Sequence, residues 1–296
     1  TLYQRLIELV KRNDTYEWEI LFINDGSSDR TLDVIRQLRQ TDSRVNFVNL
    51  SRNFGKEIAM LAGFDYTTGD CCVIMDADLQ DPPALLPQML DTLLTGDWDC
   101  AATRRTTRKG EPPVRSWFAR KFYQIINKLG DTEIVDGARD YRVMTRQMVD
   151  SILEITEVNR FSKGIFSWVG YRTKWLEYEN VARVAGETKW SFWKLLLYSI
   201  DGIIGFSTFP LAIASVVGVL FCVVAFILIL FFFFKTLIWG DPVAGFPATI
   251  CIILLLGGIQ LFCVGILGQY LSKTYLETKK RPIYIAREVV GKDQST

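Results

Sequence analysis

Residues 71–83 read Cys71-Cys72-Val73-Ile74-Met75-Asp76-Ala77-Asp78-Leu79-Gln80-Asp81-Pro82-Pro83, an apolar run that stops on three acids and two prolines. A short apolar run bounded by turn residues reads as a buried strand, here Cys71 to Met75, with a helix after Pro82-Pro83. Upstream, Trp18 to Asn24 is a second apolar run, and it ends in Asp25-Gly26-Ser27-Ser28-Asp29, the composition of a strand entering a turn and a helix N-terminus. A third run lies near Val45 to Leu50, Lys56 to Tyr66 has helical character, and a further strand falls near Trp98 to Thr103. Strands alternating with helices predict an α/β fold with a parallel-rich sheet covered on both faces. Ligands of such sheets sit beyond the carboxyl ends of the strands, and both acidic turns fall at such ends.

Outward from this centre, Leu2, Leu6, Leu9 and Val10 are helically spaced within Thr1 to Asn13, with neither a signal peptide nor an opening strand before them. A chain trimmed at its start is expected. Trp117 to Gly170 reads as mostly helical, Arg172 to Glu179 as a strand, and the two together as the acceptor side of the same domain. Beyond Ser207 the character changes. Phe209 to Phe234 and Phe246 to Leu271 are each long and apolar enough to cross a hydrocarbon layer of about 30 Å. Lys235 to Gly245, with its Gly240-Asp241-Pro242 turn, joins them as a transmembrane hairpin. Lys189 and Lys194 before it and Lys273, Lys279, Lys280 and Arg281 after it put the soluble domain and the tail in the cytoplasm. Trp190 to Phe206 mixes Trp190, Phe192, Trp193, Leu196 and Leu197 with Lys194 and Asp201. That mixture suits a helix lying in the membrane interface, against the alternative of a helix packed on the soluble domain. The expected boundaries are a catalytic domain over 1–188, an interfacial helix over 189–206, two spans within 207–271 and a tail over 272–296. Gly257, Gly258, Gly265 and Gly268 in the second span favour packing against further copies, a tetramer among the options.

Composition narrows the chemistry. With 34 basic and 33 acidic residues there is no basic excess for a nucleic-acid partner. Histidine is absent, which removes Ser-His and Cys-His catalysis and leaves any metal to oxygen ligands. Cys71, Cys72, Cys100, Cys222, Cys251 and Cys263 show no zinc or disulfide spacing and read as buried thiols.

Asp76 and Asp78, two residues apart at a strand end, suit a hard divalent cation, Mg2+ or Mn2+, which takes one or two carboxylates and completes its shell with substrate phosphates. A bare D-x-D is most often only a solvated turn, and the flanking Val73-Ile74-Met75 and Leu79-Gln80-Asp81-Pro82-Pro83 give it weight here. Asp25 is an acceptor for a base N–H or ribose hydroxyls, with Gly26 allowing close approach; the plainer reading is a strand-to-helix turn capped by Ser28 or Asp29. Fixed positive charge near a membrane suits a phosphate. Candidates are Arg139 and Arg142 flanking Asp140, Arg160 and Lys163, and the group from Arg183 to Lys189, which stands just ahead of the interfacial helix.

Together these turns and the hairpin resemble the family-2 inverting glycosyltransferases that act on polyisoprenyl phosphates, above all the bacterial bactoprenol (undecaprenyl-phosphate) glucosyltransferases. The resemblance is carried by Phe22-Ile23-Asn24-Asp25-Gly26-Ser27, Arg52-Asn53-Phe54-Gly55-Lys56-Glu57, Asp78-Leu79-Gln80-Asp81-Pro82, Lys163-Gly164-Ile165-Phe166-Ser167-Trp168-Val169-Gly170, Ala185-Gly186-Glu187-Thr188-Lys189, Phe206-Ser207-Thr208-Phe209-Pro210-Leu211 and Thr278-Lys279-Lys280-Arg281-Pro282. It implies a Rossmann-like GT-A domain of the nucleotide-diphospho-sugar transferase kind. It also implies a nucleotide-sugar donor, with UDP-glucose ahead of UDP-N-acetylglucosamine and UDP-galactose, and a bacterial inner-membrane location. By the same carry-over Asp25, Gly26 and Ser27 meet the nucleotide, Asp76, Ala77 and Asp78 the sugar-nucleotide and metal, Gln80 and Arg104 the sugar, and Asp140 stands at the position of the base. Two departures stand out: Asn24 replaces a common Asp, and the family's first strand with its Pro-x-Tyr-Asn-Glu segment is not in the sequence. The native protein is expected to carry that strand.

The expected reaction is in-line attack of a lipid phosphate on the anomeric carbon. A processive polysaccharide synthase is the rival enzyme, disfavoured by the lack of a Gln-x-x-Arg-Trp segment. A non-catalytic membrane scaffold is the other alternative, kept open by Asn24 and the missing strand.

Overall fold

The computed structural model describes residues 2–106, 127, 135, 137–178, 204, 207, 209–239 and 246–291. The chain divides into two compact units, 1–202 with 281–296 and 203–280.

In the first unit, α1 (Leu2–Arg12) is followed by β1 (Ile20–Asn24), α2 (Thr31–Thr41), β2 (Val45–Leu50), α3 (Lys56–Tyr66) and β3 (Cys71–Ile74). After a short 3-10 turn at Pro83–Leu85 come α4 (Leu86–Leu94), β4 (Cys100–Arg105), β5 (Ala138–Thr145), α5 (Arg146–Leu153), α6 (Ser162–Trp168) and β6 (Thr173–Tyr178). The last strand, β7 (Ala286–Val290), lies beyond the second unit in sequence. The expected order of elements from Thr1 to Thr103 is present. The N-cap of α2 is Arg30, without a side-chain cap, rather than the expected Ser28 or Asp29; Asp29 Oδ1 instead accepts from the Thr31 N–H at 3.0 Å in a turn just before the helix.

The strands form two mixed sheets rather than one parallel-rich sheet. One has the order β1-β2-β7, with β1 and β2 parallel and β7 antiparallel to β2; the other has the order β3-β5-β4-β6. Within the second sheet β5 runs antiparallel to both β3 and β4, while β6 is parallel to β4. The inserted strand corrects the expectation of a mostly helical stretch over 117–170. Ala138-Arg139-Asp140-Tyr141-Arg142-Val143-Met144-Thr145 lacks a clean two-residue alternation because Arg142, as well as Tyr141, Val143 and Met144, is buried. Charge inside a central strand hides it from pattern reading.

Two apolar clusters hold this unit together. Leu9 of α1 packs with Leu86, Met89 and Leu93 of α4 onto Ala101, Tyr141 and Val143 of the second sheet. Val48 and Leu50 of β2 pack with Ala62 of α3, joined by Leu21, Ile23 and Tyr284. All six residues of β2 are buried, as befits a strand with partners on both sides and helices on its faces.

The second unit consists of α7 (Phe209–Trp239) and α8 (Phe246–Thr278), each running past the end expected from sequence. Both contain segments long and apolar enough to cross a membrane, Phe209–Leu228 and Leu255–Thr278. Tyr270 of α8 donates to the Ser207 carbonyl at 2.6 Å, tying the start of one helix to the other. Large apolar side chains face outward on both helices, among them Val216, Leu220 and Phe226 on α7 and Leu261, Phe262 and Leu271 on α8. The Gly240-Asp241-Pro242 turn and the stretch 189–206 expected at the interface, residue 204 apart, lie outside the described residues.

Candidate active site

The turn after β3 closes on itself. Asp78 Oδ1 accepts from the Gln80 N–H at 3.1 Å, and the buried Asp81 accepts from the Asp76 N–H at 3.2 Å. Leu79 between them has φ 63°, a left-handed conformation costly for a branched side chain, and its burial holds it there. Asp76 and Asp78 are thereby presented at the carboxyl end of the strand by a strained, hydrogen-bonded turn rather than by a loose acidic loop. Asp81 is fixed in its turn by Arg139 at 3.4 Å and by the Tyr178 hydroxyl at 3.4 Å. Burial pushes the Asp81 carboxyl above its ordinary value and Asp76 adds to this, while Arg139 opposes it.

The turn after β1 does its work through the neighbouring loop. Asp25 accepts from the N–H groups of Phe54 and Gly55 at 2.7 and 2.9 Å, which fixes the chain just before α3. Gly26 sits at φ +65°, where a Cβ would lie 2.5 Å from the Asn53 nitrogen and 2.6 Å from the Arg52 carbonyl carbon, so only glycine lets the two loops touch. Asn24, where the resemblance has Asp, is buried and donates to Asn49 Oδ1 at 2.8 Å, bridging β1 and β2; its own Oδ1 accepts from Ser27.

That loop delivers Lys56 to the first turn of α3, and Lys56 joins the two acidic positions. Its Nζ lies 2.7 Å from Asp76 Oδ2 and 2.6 Å from Asp140 Oδ2. Burial would lower the Lys56 pKa, but Asp140 and Asp76 override it and the ammonium is held well above its usual range. For Asp140, burial would raise the carboxyl, yet the Lys56 and Lys163 charges and the Lys56 hydrogen bond hold it at about 2. A half-buried ammonium at a helix N-terminus, where the backbone dipole disfavours positive charge, is held in place by these two carboxylates. Lys56 was not among the site residues read from sequence. Its signal was its place: the first helical residue after a parallel strand, on the ligand-bearing edge of the sheet.

The other candidates separate. Arg142 is buried, stacks on Phe166 with its guanidinium 3.7 Å from the ring centre, and donates to the Arg139 carbonyl at 3.1 Å. Arg160, also buried, donates to the Ile155 and Ile152 carbonyls at the end of α5. Lys163 of α6 stands within electrostatic reach of Asp140, and α6 is anchored to α3 because Glu57 accepts from both the N–H and the hydroxyl of Ser162. Arg104 pairs with Glu177 across β4 and β6, away from the Lys56 cluster by partner. Arg183 and Lys189 lie outside the described residues.

Among the described residues no group of three or more acidic or cysteine side chains is arranged as a complete metal cage. The donor set at Asp76 and Asp78 fits a different kind of site, a hard cation on two carboxylates that takes its remaining oxygens from a diphosphate and water.

An α/β domain whose strand ends present paired acids has the layout of a nucleotide-sugar transferase of the GT-A class. Residues 2–153 match the glycosyl transferase family 2 profile. The putative glycosyltransferase CsbB of Bacillus subtilis is 43% identical over 94% of this chain and 84% of its own length. The prophage bactoprenol glucosyl transferase homolog of Escherichia coli is 40% identical over 97% of this chain and 94% of its own, and the bactoprenol glucosyl transferase of Shigella phage SfX is 40% identical over 92% and 89%. Glucosyl-3-phosphoglycerate synthase of Mycobacterium tuberculosis, solved with Mn2+, UDP-glucose and phosphoglyceric acid, overlays with a TM-score of 0.39 at 19% identity, over 62% of this chain and 66% of that one, just under two thirds of its length. The chain belongs to glycosyl transferase family 2. It is a glycosyltransferase.

Proposed function

We propose that the chain transfers one hexose, glucose from UDP-glucose, to the phosphate of undecaprenyl or another polyisoprenyl phosphate, inverting the anomeric centre. The observation that carries this is the Asp76–Lys56–Asp140 bridge at the strand ends, in a chain that aligns along nearly its whole length with bactoprenol glucosyl transferases. Asp76 and Asp78 hold the divalent cation, Mg2+ or Mn2+, which when bound supplies Lewis-acid neutralisation of the leaving diphosphate. Asp25 fixes the loop at Phe54 and Gly55, and its oxygens keep lone pairs for a base N–H or ribose hydroxyl. Gly26, Ser27, Ala77 and Gln80 are assigned to the donor side, and Arg104, paired with Glu177, is assigned there by the resemblance alone.

On the acceptor side, Arg142 and Arg160 donate to backbone carbonyls and Arg139 pairs with Asp81; the phosphate is assigned to Lys163, within electrostatic reach of Asp140, and to Arg183 and Lys189, beyond the described residues. A phosphate monoester has its second pKa near 6, so the attacking oxygen is already largely ionised at pH 7. Asp140, held at about 2, is a weak proton acceptor, and its task is orientation. The outward-facing apolar side chains of α7 and α8 belong in lipid, since exposed in water they would form a surface far larger than soluble proteins carry. The basic residues flanking the pair support a reading in which it spans the bacterial inner membrane with the catalytic unit and the tail in the cytoplasm. Added Cβ atoms at Gly257, Gly258, Gly265 and Gly268 would meet nothing within 4 Å, which leaves that helix room for a second copy in a homo-oligomer.

Purified full-length protein offered UDP-glucose, UDP-N-acetylglucosamine and UDP-galactose with undecaprenyl phosphate tests this reading, with mass analysis of the lipid product. A product one hexose heavier, from UDP-glucose, is expected; products bearing several sugars, or none with any donor, reject it.

A further inference from the structure

Lys56 raises a question that the transfer chemistry leaves open: why a cation fills the space beside the carboxylate meant for a metal. Two acids, Asp76 and Asp140, meet at this corner of the unit, and the backbone of Asp76 is tied by its N–H to Asp81. Without a cation the carboxylates would repel one another at short range, an energy that is large where solvent is partly excluded. Lys56 reaches both from a single point on α3. Its backbone is set by Asp25 through Phe54 and Gly55, and its side chain is 46% exposed, so the flexible stem has room to move while its anchor stays fixed. An ammonium has three donors, and two are engaged by Asp76 and Asp140.

We propose that Lys56 is an exchangeable counter-ion: it occupies Asp76 while no metal is bound, yields that carboxylate when the metal-diphosphate arrives, and keeps its hold on Asp140. The swap couples loading of the donor side to the setting of the acceptor-side carboxylate, because one side chain serves both. Lys56 is thus a positioning residue acting through Asp76 and Asp140. The inference rests on the reading of Asp76 and Asp78 as metal ligands and adds a competitor for one of them.

Titration of Mn2+ alone into the full-length protein in detergent, read by the electron paramagnetic signal of the free ion, tests it without any turnover. Lys56→Met and Lys56→Gln are expected to bind Mn2+ about tenfold more tightly than the wild type, since an obligatory competing charge is gone. Lys56→Arg, which keeps the charge, is expected to stay within about twofold of the wild type. In steady-state transfer, the two neutral variants should lose kcat with little rise in donor KM, and Lys56→Arg should recover part of the loss. Neutral variants that bind Mn2+ no better than the wild type, in folded protein, overturn the exchange while leaving the metal assignment standing. A wild type that binds no Mn2+, with Asp78→Asn indistinguishable from it, overturns both.

Discussion

Asp140 is a partly buried carboxylate kept ionised by its neighbours, and this gives the protein a defined acid response. Its ordinary value is 3.8 and its folded value about 2, so the native state binds fewer protons than the unfolded chain between those limits. The stabilisation, about 2 kcal/mol, is complete above roughly pH 4 and is lost as pH falls toward 2. In Lys56→Met the opposing effect of burial gains weight, the folded value moves up, and the acid-side fall in melting temperature should begin at a higher pH than in the wild type. Thermal melts in detergent from pH 2 to 6 check the direction; an unchanged acid limb contradicts the pairing. Asp78→Asn should leave the melt unchanged within a degree or two while lowering kcat by roughly 100-fold or more, the scale of losing a charge that stabilises a transition state. Gly26→Ala carries a steric conflict with Arg52 and Asn53 and a positive φ, and should lower the melting temperature through about 2 kcal/mol or more of destabilisation. At this scale the position of the acids at strand ends was legible, because an apolar run that stops on acidic and turn residues reads as a strand entering a turn. Lys56 was not, since a lysine at the start of a helix looks like any surface lysine until both its partners are placed. Nor does sequence tell that Arg142 lies under Phe166 or that Arg160 serves the end of α5: charge says nothing of direction.

Among the elements, β7 shows what local pattern cannot carry. Ala286-Arg287-Glu288-Val289-Val290 follows the apolar helices and reads as tail, yet it pairs antiparallel with β2 from Phe47 to Leu50. Glu288 pairs with Arg36 of α2, and the Tyr284 hydroxyl donates to Asp65 of α3 at 2.7 Å. Removing 286–296 would strip one edge of a strand whose residues are all buried, and exposed edges of that kind recruit other chains. The truncated protein should aggregate on heating and unfold well below the wild type, whereas Glu288→Ala, which breaks only a partly exposed ion pair, should leave the melting temperature nearly unchanged. A truncation as stable as the full chain contradicts a structural role for β7. The order of elements up to residue 103 was readable from alternation and turn chemistry, because those strands carry apolar runs. The pairing of β5 between β3 and β4 and of β7 beside β2 was not, because strand order is decided by contacts between residues far apart in sequence.

For the whole molecule, the change of composition after Ser207 was the plainest feature of the sequence, and two helices of 31 and 33 residues bear it out as elements. Their outward apolar surfaces predict that the full chain stays with the membrane fraction through an alkaline carbonate wash and needs detergent for release; recovery in the wash supernatant contradicts a bilayer-spanning pair. Family membership fixes the class of reaction, and the acceptor is where the proposal is most exposed to test. The most direct measurement is transfer of label from UDP-[14C]glucose to undecaprenyl phosphate by full-length protein, extracted into organic solvent, with and without EDTA. Label in the organic phase that depends on the lipid phosphate, disappears with EDTA and is absent in Asp78→Asn is the predicted result; EDTA-resistant label, or equal label from folded Asp78→Asn protein, would contradict it.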